Sequence, residues 1–213
     1  MDFFSYLENT DRNKILVFCH NKFVNEGFYK TSMDEIAQEL GVSKKTIYKY
    51  FDSKDTLIND VCTLRIETMK KYIDEIINSD DDCIVKFEKI GDLHANFTKN
   101  CAASYIKDVK THAPHLNKRF EEFGKETSFR VFSKLLNQGK KEKLISEDYP
   151  NNMVIEIFSS AMQRVCSPDF LINNGFTMKE AFEYVVDIIF TGFLTSEGKK
   201  RFKNKSKKVL QNN

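Results

Sequence analysis

The 213-residue chain has no tryptophan, only three prolines and only eight glycines. Proline and glycine interrupt helices and mark turns, so their scarcity favours long, unbroken helices. No segment shows the alternation of apolar and polar residues that is typical of strands, and no internal repeat is apparent. The sequence therefore predicts an all-α protein.

The sequence also lacks the cysteine pairs that hold disulfides or zinc. Its five cysteines are odd in number, lie far apart and never form a C-x-x-C motif. This pattern argues against a disulfide framework and against zinc knuckles. We therefore expect reduced thiols, and we predict no metal ion and no other cofactor.

Long apolar runs are missing as well. The most apolar segment, "VVDIIFTGFL", carries Asp187 and is shorter than the roughly 18 apolar residues that a membrane span needs. The first residues, "MDFFSYLENTDRNK", contain early acids and no apolar core, so they resemble neither a secretory signal nor a transit peptide. We expect a cytoplasmic protein without a membrane partner.

The formal net charge of +2 is unevenly distributed. Seven basic residues follow the last acid, Glu197, so the rest of the chain is net negative. Any recognition of phosphates must then come from a local basic patch. We interpret residues 197–213 as a solubilising basic tail, and sequence-independent attraction to DNA is the alternative.

Three short helices are predicted near the start of the chain. The first begins at Thr10 or Asp11 and ends at Gly27, and the second follows the capping-box pair Ser32 and Glu35. A tight turn at residues 41–42 leads into a third helix, capped by Ser43 and extending to residue 51. Two short helices joined by a glycine-containing turn are typical of a helix-turn-helix.

The third predicted helix has an apolar side and a basic side. Ile47 and Phe51 share one side, while Lys45 and Lys49 point away from it. A helix that enters the major groove needs an apolar back for its scaffold and a front that attracts phosphates and meets base edges. The alternative is that this lysine-rich face is only solvated.

Four motifs in this region carry a family resemblance. They are "T-S-x-x-x-I-A" at residues 31–37, "G-V-S" at 41–43, "T-I-Y-x-Y-F" at 46–51 and "S-K-D-x-L" at 53–57. With them, residues 10–57 closely resemble the DNA-binding module of the tetracycline-repressor (TetR) family of bacterial transcription regulators. The resemblance implies an N-terminal three-helix DNA-binding domain and a larger helical domain for effector binding and dimerisation.

The resemblance also implies roles for single residues. Tyr48 and Lys54, with Ser32, would hold backbone phosphates of double-stranded operator DNA. The N-terminus of the third helix, at Ser43, would favour an anion. Its groove-facing residues would be Lys44, Lys45, Thr46, Lys49 and Tyr50. We assign only a packing role to Ala37, Leu40, Ile47 and Phe51.

Further helices are predicted along the rest of the chain. Ser53 caps a 24-residue segment without proline or glycine, which would span about 36 Å as one helix and connect two domains rigidly. The other predicted helices cover residues 84–100, 102–111, 116–141, 151–166 and 178–195, with Pro114, Gly139, Pro150, Pro168 and Gly175 at or near the breaks. We divide the chain into a DNA-binding domain (residues 1–55), an effector-binding and dimerisation domain (56–196) and the basic tail (197–213).

The family resemblance implies a homodimer formed by the last two long helices. The sequence offers apolar stripes at helical spacing on both, and internal core is the alternative role for each stripe. The stripe residues are Phe158, Ala161, Met162 and Val165, followed by Val185, Ile188, Ile189 and Phe193.

The resemblance further implies a cavity for a small hydrophobic or amphipathic effector among the middle helices. Aromatic residues would line it and polar residues would orient the ligand, although ordinary core is the more common role of any single aromatic residue. The candidates are Arg65, Phe87, His94, Phe97, Tyr105, Phe123, Thr127 and Arg130.

Two further clusters invite a metal interpretation. Asp80, Asp81 and Asp82 are more simply helix caps, and His112 and His115 flank Pro114 in a predicted loop without a third ligand. No phosphate-binding glycine loop or nucleophile motif is present, so we predict that the protein is not an enzyme.

The expected function is ligand-responsive regulation of transcription, with repression at a palindromic operator. The alternatives are a DNA-bound scaffolding or cell-division factor controlled by a protein partner, and a DNA-processing enzyme.

Overall fold

A computed structural model of the protein describes residues 3–98 and 101–202. Within these residues no β-strand forms, and the only β-type pairing is an isolated bridge between Ile145 and Leu194. The all-α prediction is therefore confirmed. The helices are α1 (Asp11–Glu26), α2 (Met33–Leu40), α3 (Lys44–Tyr48), α4 (Lys54–Ile77), α5 (Cys83–Thr98), α6 (Ala103–His112), α7 (Pro114–Lys141), α8 (Asn151–Val165), α9 (Pro168–Asn174) and α10 (Met178–Phe193), and residues 196–202 are helical as well.

Local capping explains where the first helices begin. The Thr10 side chain accepts a hydrogen bond from the Asn13 backbone N–H, and both bonds of the capping box between Ser32 and Glu35 are formed. Each cap satisfies a backbone donor that would otherwise have no partner in the first turn. The start of α2 therefore agrees with the sequence prediction.

Several predicted boundaries differ from the structure. Helix α3 ends at Tyr48 instead of residue 51. Hydrogen bonds from the N–H groups of Tyr50 and Phe51 to the Ile47 carbonyl nevertheless form a further turn after it. The helix α9 was not predicted. Gly139 lies in the last turn of α7, near the predicted break, and a Cβ there would lie only 2.7 Å from the Cys83 Sγ. Pro114 is the first residue of α7, a position where proline loses no helical hydrogen bond.

The chain divides into two compact units. Unit 1 combines residues 1–71 with residues 98–123, and unit 2 combines residues 72–97 with residues 124–213. Both units therefore contain two separate stretches of chain. The boundary that we predict at residue 55 is a division by role, and it remains a prediction.

Unit 1 is built around one hydrophobic core. Side chains from α1, α2, α3 and the first half of α4 pack together with Tyr105, Val109 and Leu116 from α6 and α7. Cys19, Ile36, Ile47, Phe51 and Leu57 have no exposed surface in this cluster. The three helices of the predicted DNA-binding domain thus share their core with a segment that follows about 50 residues later in the chain.

Unit 2 has a core rich in phenylalanine. Phe190 lies at its centre, with ring centroids 4.3 Å from Phe87 and 4.9 Å from Phe193. Phe132 and Phe158 pack against each other at 3.8 Å and extend the cluster. Helices α5, α7, α8 and α10 are held together by these rings, which bury a large apolar area at low conformational cost.

The acidic cluster before α5 acts as a helix cap. Asp82 Oδ1 accepts a hydrogen bond from the Val85 N–H at 2.9 Å, while Asp81 pairs with Lys89. Most of the predicted basic tail lies outside the described residues, which end at residue 202. In the described part of the chain, no helix combines the length and the apolar character that crossing a bilayer requires.

Candidate nucleic-acid interface

Helices α2 and α3 form a compact hairpin with a buried apolar side. Gly41 adopts a left-handed conformation (φ +67°) between them, and the Val42 N–H donates to the Ala37 carbonyl at 3.0 Å. Glycine adopts this conformation without the steric cost that a side chain would add. Ile36 and Ile47, one from each helix, are completely buried and fix the orientation of α3.

A buried lysine joins this hairpin to α1. Only 5% of the Lys22 side chain is exposed, and its Nζ lies 2.8–2.9 Å from carboxylate oxygens of Glu26, Glu35 and Glu39. The hydrogen bonds that Lys22 donates to Glu39, Glu26 and Glu35 raise the pKa of Lys22. The Lys22 ammonium is therefore charged at any physiological pH, and it ties both turns of α2 to α1. The sequence prediction missed this contact, since Lys22 and Glu39 are 17 residues apart and lie in different helices.

The opposite side of α3 is polar and exposed. Ser43, Lys44, Lys45, Tyr48 and Lys49 are exposed, while Thr46 and Tyr50 are half-buried. Tyr48 exposes 42% of its surface, so its hydroxyl can reach an external partner. The structure therefore leaves the predicted groove-facing and phosphate-binding residues of α3 exposed or half-buried, with Lys45 and Lys49 opposite the buried Ile47.

Three of these residues, Ser43, Lys44 and Thr46, have internal partners. Both oxygens of the Asp34 carboxylate lie 2.9 Å from Lys44 Nζ, and this hydrogen bond raises the pKa of Lys44. The Ser43 hydroxyl caps α3 by accepting from the Thr46 N–H at 3.0 Å, and it is also hydrogen-bonded to the Thr46 hydroxyl at 2.8 Å. A hydroxyl has one proton and two lone pairs, so each of these two hydroxyls can still form a hydrogen bond to an external partner.

Lys45 and Lys49 differ from Lys44 in this respect. Among residues 3–98 and 101–202, no carboxylate lies within ion-pair distance of either lysine. Lys49 Nζ lies 5.3 Å from the centroid of the Tyr50 ring, a cation–π arrangement. These two ammonium groups give the exposed side of α3 its positive charge.

The loop before α2 is held by residues from two other helices. Lys54 Nζ, at the start of α4, donates to the Tyr29 carbonyl at 2.9 Å, and burial lowers the pKa of Lys54. From α6, Asp108 Oδ2 accepts from the N–H groups of Phe28 and Tyr29 at 2.7 and 2.8 Å. Asp108 thus positions the segment that leads into the N-cap of α2.

Asp108 was not predicted from the sequence. It lies about 80 residues from its partners, and no local pattern links them. Nearby, the ring of His112 stacks on Tyr29 with centroids 3.6 Å apart. His112 therefore has a packing partner in unit 1, and the described residues contain no group of three or more potential metal ligands.

The predicted effector-binding residues are divided between the two units. Unit 1 contains Arg65, Tyr105 and Phe123, and unit 2 contains the other five. In unit 2, Phe87 is part of the phenylalanine core, Arg130 forms an ion pair with Asp74, and His94 stacks on Phe182 at 6.2 Å. Phe97 is buried and Thr127 is half-buried. The effector role of all eight residues remains a prediction.

Arg65 and Tyr105 do come together in unit 1. The buried Arg65 guanidinium lies 2.9 Å from His20 Nε2 and 3.1 Å from Cys101 Sγ, and its Cζ is 5.8 Å from the centroid of the Tyr105 ring. Burial, reinforced by the positive charge of Arg65, lowers the pKa of His20 to about 4. Burial also raises the pKa of Tyr105 to about 12. Both side chains are therefore neutral at physiological pH.

Helices α8 and α10 pack against each other in unit 2, and the predicted apolar stripes divide between core and surface. Phe158, Val185 and Phe193 are buried, while Ile188 exposes 72% of its surface. The remaining stripe residues, Ala161, Met162, Val165 and Ile189, are half-buried. Further large apolar side chains that the sequence prediction missed are exposed on the same two helices, namely Met153, Ile157 and Tyr184.

Comparison with known proteins adds independent information on this surface. Residues 20–61, which include α2, α3 and the start of α4, match the family model described as bacterial regulatory proteins, tetR family. The chain is 24% identical over 179 residues to YvaF of Bacillus subtilis, an uncharacterised HTH-type transcriptional regulator, with 83% of this chain and 92% of YvaF aligned.

Solved structures with low sequence identity share the fold. A transcriptional regulator from Cytophaga hutchinsonii superposes with a TM-score of 0.67 at 20% identity, covering 85% of this chain and 97% of the other. A transcriptional regulator from Saccharomonospora viridis, solved in complex with choline, also gives a TM-score of 0.67, at 13% identity, with 86% and 97% of the two chains covered. The similarity therefore extends over most of the chain.

Proposed function

We propose that this chain, which belongs to the tetR family of bacterial regulatory proteins, represses transcription by binding a near-palindromic operator as a homodimer. As a tetR-family protein it is a DNA-binding transcription regulator. The observation that carries the proposal is the exposed side of α3. Lys45, Tyr48 and Lys49 face outward there, while the buried Ile47 anchors the helix from behind.

Each part of this surface suits a different part of a DNA duplex. The ammonium groups of Lys45 and Lys49 can bind phosphates or guanine edges, and the Tyr48 hydroxyl can donate to a phosphate oxygen. Thr46 offers a hydroxyl and a methyl group to base edges. Lys54 and Ser32 lie at the starts of α4 and α2, where a backbone phosphate would also meet helix N-terminal donors.

Dimerisation is supported by the exposed apolar side chains on α8 and α10. Met153, Ile157, Tyr184 and Ile188 expose between 52% and 72% of their surface. Such apolar surface on two packed helices is costly in water and is typical of a subunit interface. Two α3 helices would then bind half-sites about 34–36 Å apart, one helical turn of DNA.

Release from DNA by a small hydrophobic or amphipathic effector completes the proposal. An effector that prefers a state with the wrong spacing between the two α3 helices lowers operator affinity by linkage, typically by 1–3 kcal/mol. The choline complex of a protein with the same fold supports a small-molecule effector. Choline is a suitable first probe, and titrating it and uncharged amphipathic molecules into an operator complex tests this step. If none of them changes operator affinity, the effector step is wrong.

DNA binding is tested with variants of α3. We expect Lys49→Ala to weaken binding to a selected operator about tenfold, and Tyr48→Phe to weaken it severalfold because one phosphate contact is lost. Fluorescence anisotropy with a labelled duplex gives both affinities. Lys125→Ala removes the same charge from an exposed position on α7 and serves as the control. Wild-type affinity in both α3 variants would remove this surface from the DNA interface.

A further inference from the structure

The carboxylates of α2 provide a new inference about DNA selectivity. Helix α2 carries three of them, Asp34, Glu35 and Glu39. Glu35 and Glu39 bind Lys22, which lies on the side of α2 that packs on α1. Only Asp34 forms its ion pair with a residue of α3, and 73% of its side chain is exposed.

The position of this ion pair follows from its partner. Lys44 is the first residue of α3, and 47% of its side chain is exposed. Because both Asp34 oxygens lie 2.9 Å from Lys44 Nζ, the carboxylate lies within one lysine side-chain length of the N-terminal turn of α3. That turn belongs to the surface that, in the proposed function, meets DNA. Asp34 would thus bring a negative charge next to phosphates.

We propose that Asp34 withholds Lys44 from the DNA backbone and thereby weakens sequence-independent binding. On a random duplex, the Lys44 ammonium can either stay paired with Asp34 or move to a phosphate. If Lys44 stays on Asp34, the complex lacks one phosphate contact. If Lys44 moves to a phosphate, an unpaired carboxylate remains beside the negatively charged duplex, which is unfavourable. Either way, the pair removes the gain of about one released counterion.

This selectivity effect rests on the proposed function. In an operator complex, base contacts from α3 fix how deeply the helix enters the groove, so Lys44 has less freedom to move to a phosphate. In a random duplex no such contacts fix the helix, and a released Lys44 can adapt to the nearest phosphate. Asp34 therefore penalises random DNA more than the operator, and it acts as a specificity-determining residue.

The test compares full-length wild type with Asp34→Asn, Lys44→Gln and the double variant on a random duplex and on a selected operator. We expect Asp34→Asn to steepen the salt dependence on random DNA by about 0.9 in log K against log [salt], which amounts to about a 3.5-fold difference between 50 and 200 mM salt. Affinity for random DNA rises more than affinity for the operator. In the double variant the salt dependence returns to that of wild type, because Lys44 is absent.

Asp11→Asn is the matched control. Asp11 also lies in the first turn of a helix and beside a lysine, Lys14, at 3.8 Å, but it belongs to α1. We expect this variant to leave the salt dependence unchanged. A similar change in Asp11→Asn would show a general charge effect and overturn the proposal, as would a double variant that keeps the steeper dependence. Equal gains on both duplexes would contradict the specificity role.

Failure of this inference is distinguishable from failure of the proposed function. If wild type binds neither duplex at low salt, DNA binding through α3 is wrong. If wild type binds the operator while Asp34→Asn shows wild-type affinities and salt dependence on both duplexes, only the role of Asp34 is wrong. Thermal unfolding of each variant verifies that the loss of a carboxylate near the α2 N-terminus leaves the fold intact.

Discussion

The α2–α3 hairpin buries its apolar side within the chain, whereas the α8–α10 pair leaves part of its apolar surface exposed. In the hairpin, Ile36 and Ile47 are completely buried, and the exposed side carries lysines and hydroxyl groups. In the α8–α10 pair, Phe158 and Val185 are buried, yet Ile188 exposes 72% of its surface. The apolar side chains of the hairpin are buried within one chain, whereas the helix pair presents apolar surface that a second chain could cover.

The contrast teaches where each part of the molecule obtains its stability. The hairpin depends on the apolar core of unit 1 and, in addition, on polar contacts such as the three carboxylates around Lys22. The helix pair depends on phenylalanine packing within unit 2 and, in our proposal, on burial against its partner. Variants that remove one kind of contact should therefore affect one region and spare the other.

The largest expected effect concerns the apolar surface of α8 and α10. We expect Ile188→Asp to weaken dimerisation more than 100-fold, because a charge would be buried in an apolar interface without a partner. Sedimentation velocity at micromolar concentration should show monomers, and operator binding should be lost with the dimer. Phe129→Asp is the control, since Phe129 lies on α7 and exposes a similar 60% of its surface. A dimeric Ile188→Asp protein would exclude this surface as the interface.

The next effect is an acid sensitivity located in unit 1. His20 has a folded-state pKa of about 4, lowered from 6.5 mainly by burial and further by Arg65. Between these values the unfolded state binds a proton that the folded state does not, so stability falls as the pH drops from 6.5 to 4. The loss is on the order of 3 kcal/mol.

Urea unfolding at several pH values tests this effect. We expect His20→Gln to flatten the pH dependence between pH 6.5 and 4, whereas His115→Gln, which changes an exposed histidine on α7, should retain the wild-type slope. Carboxylates titrate in the same range, so the difference between variants is the informative quantity. Identical slopes in His20→Gln and wild type would show that His20 does not cause the acid sensitivity.

A smaller effect is expected at Lys22. Lys22→Met keeps the aliphatic stem but removes the ammonium that holds Glu26, Glu35 and Glu39. We expect a loss of about 1–2 kcal/mol in the free energy of unfolding, because the three carboxylates are largely solvated and only the lysine is buried. Chemical denaturation measures the change. Lys118→Met breaks a single exposed ion pair with Glu122 at 3.7 Å and should change stability by less than about 0.5 kcal/mol. Equal losses in both variants would contradict a special role for Lys22.

The smallest expected effect is that of Lys54. Its ammonium donates to the Tyr29 carbonyl with one of three protons, so the others can bind a phosphate. We expect Lys54→Ala to weaken binding to all sequences by a similar, severalfold factor and to reduce the salt slope by about one unit. Affinity measurements on several duplexes provide the test. A preference among sequences in this variant would contradict the phosphate role.

Much of the fold could be predicted because its signals are local. The caps of α1, α2 and α3 join residues three positions apart, and α4 extends for the predicted 24 residues. Helix α3 was predicted three residues too long, since Phe51 keeps the helical spacing of the apolar side although a turn already follows Tyr48. Helix α9 escaped prediction because its seven residues are too few to show periodicity.

The candidate site could be predicted only in part, because only residues that are close in the sequence can be related by helical spacing. The exposed residues of α3 follow one another in the sequence, so their shared surface could be inferred from helical spacing. Asp108 contacts the loop before α2, and Lys22 of α1 contacts Glu39 of α2, so these contacts join different elements and no sequence spacing predicts them. Which apolar residues of α8 and α10 are exposed likewise depends on the packing of unit 2.

The contact between Asp108 and the loop before α2 has a practical consequence for protein engineering. A chimera that carries only residues 1–55 of this chain would separate Phe28 and Tyr29 from Asp108, the carboxylate that holds their amides. Grafting residues 98–123 along with the N-terminal segment would keep this contact, so that the incoming helices retain the support with which they fold here.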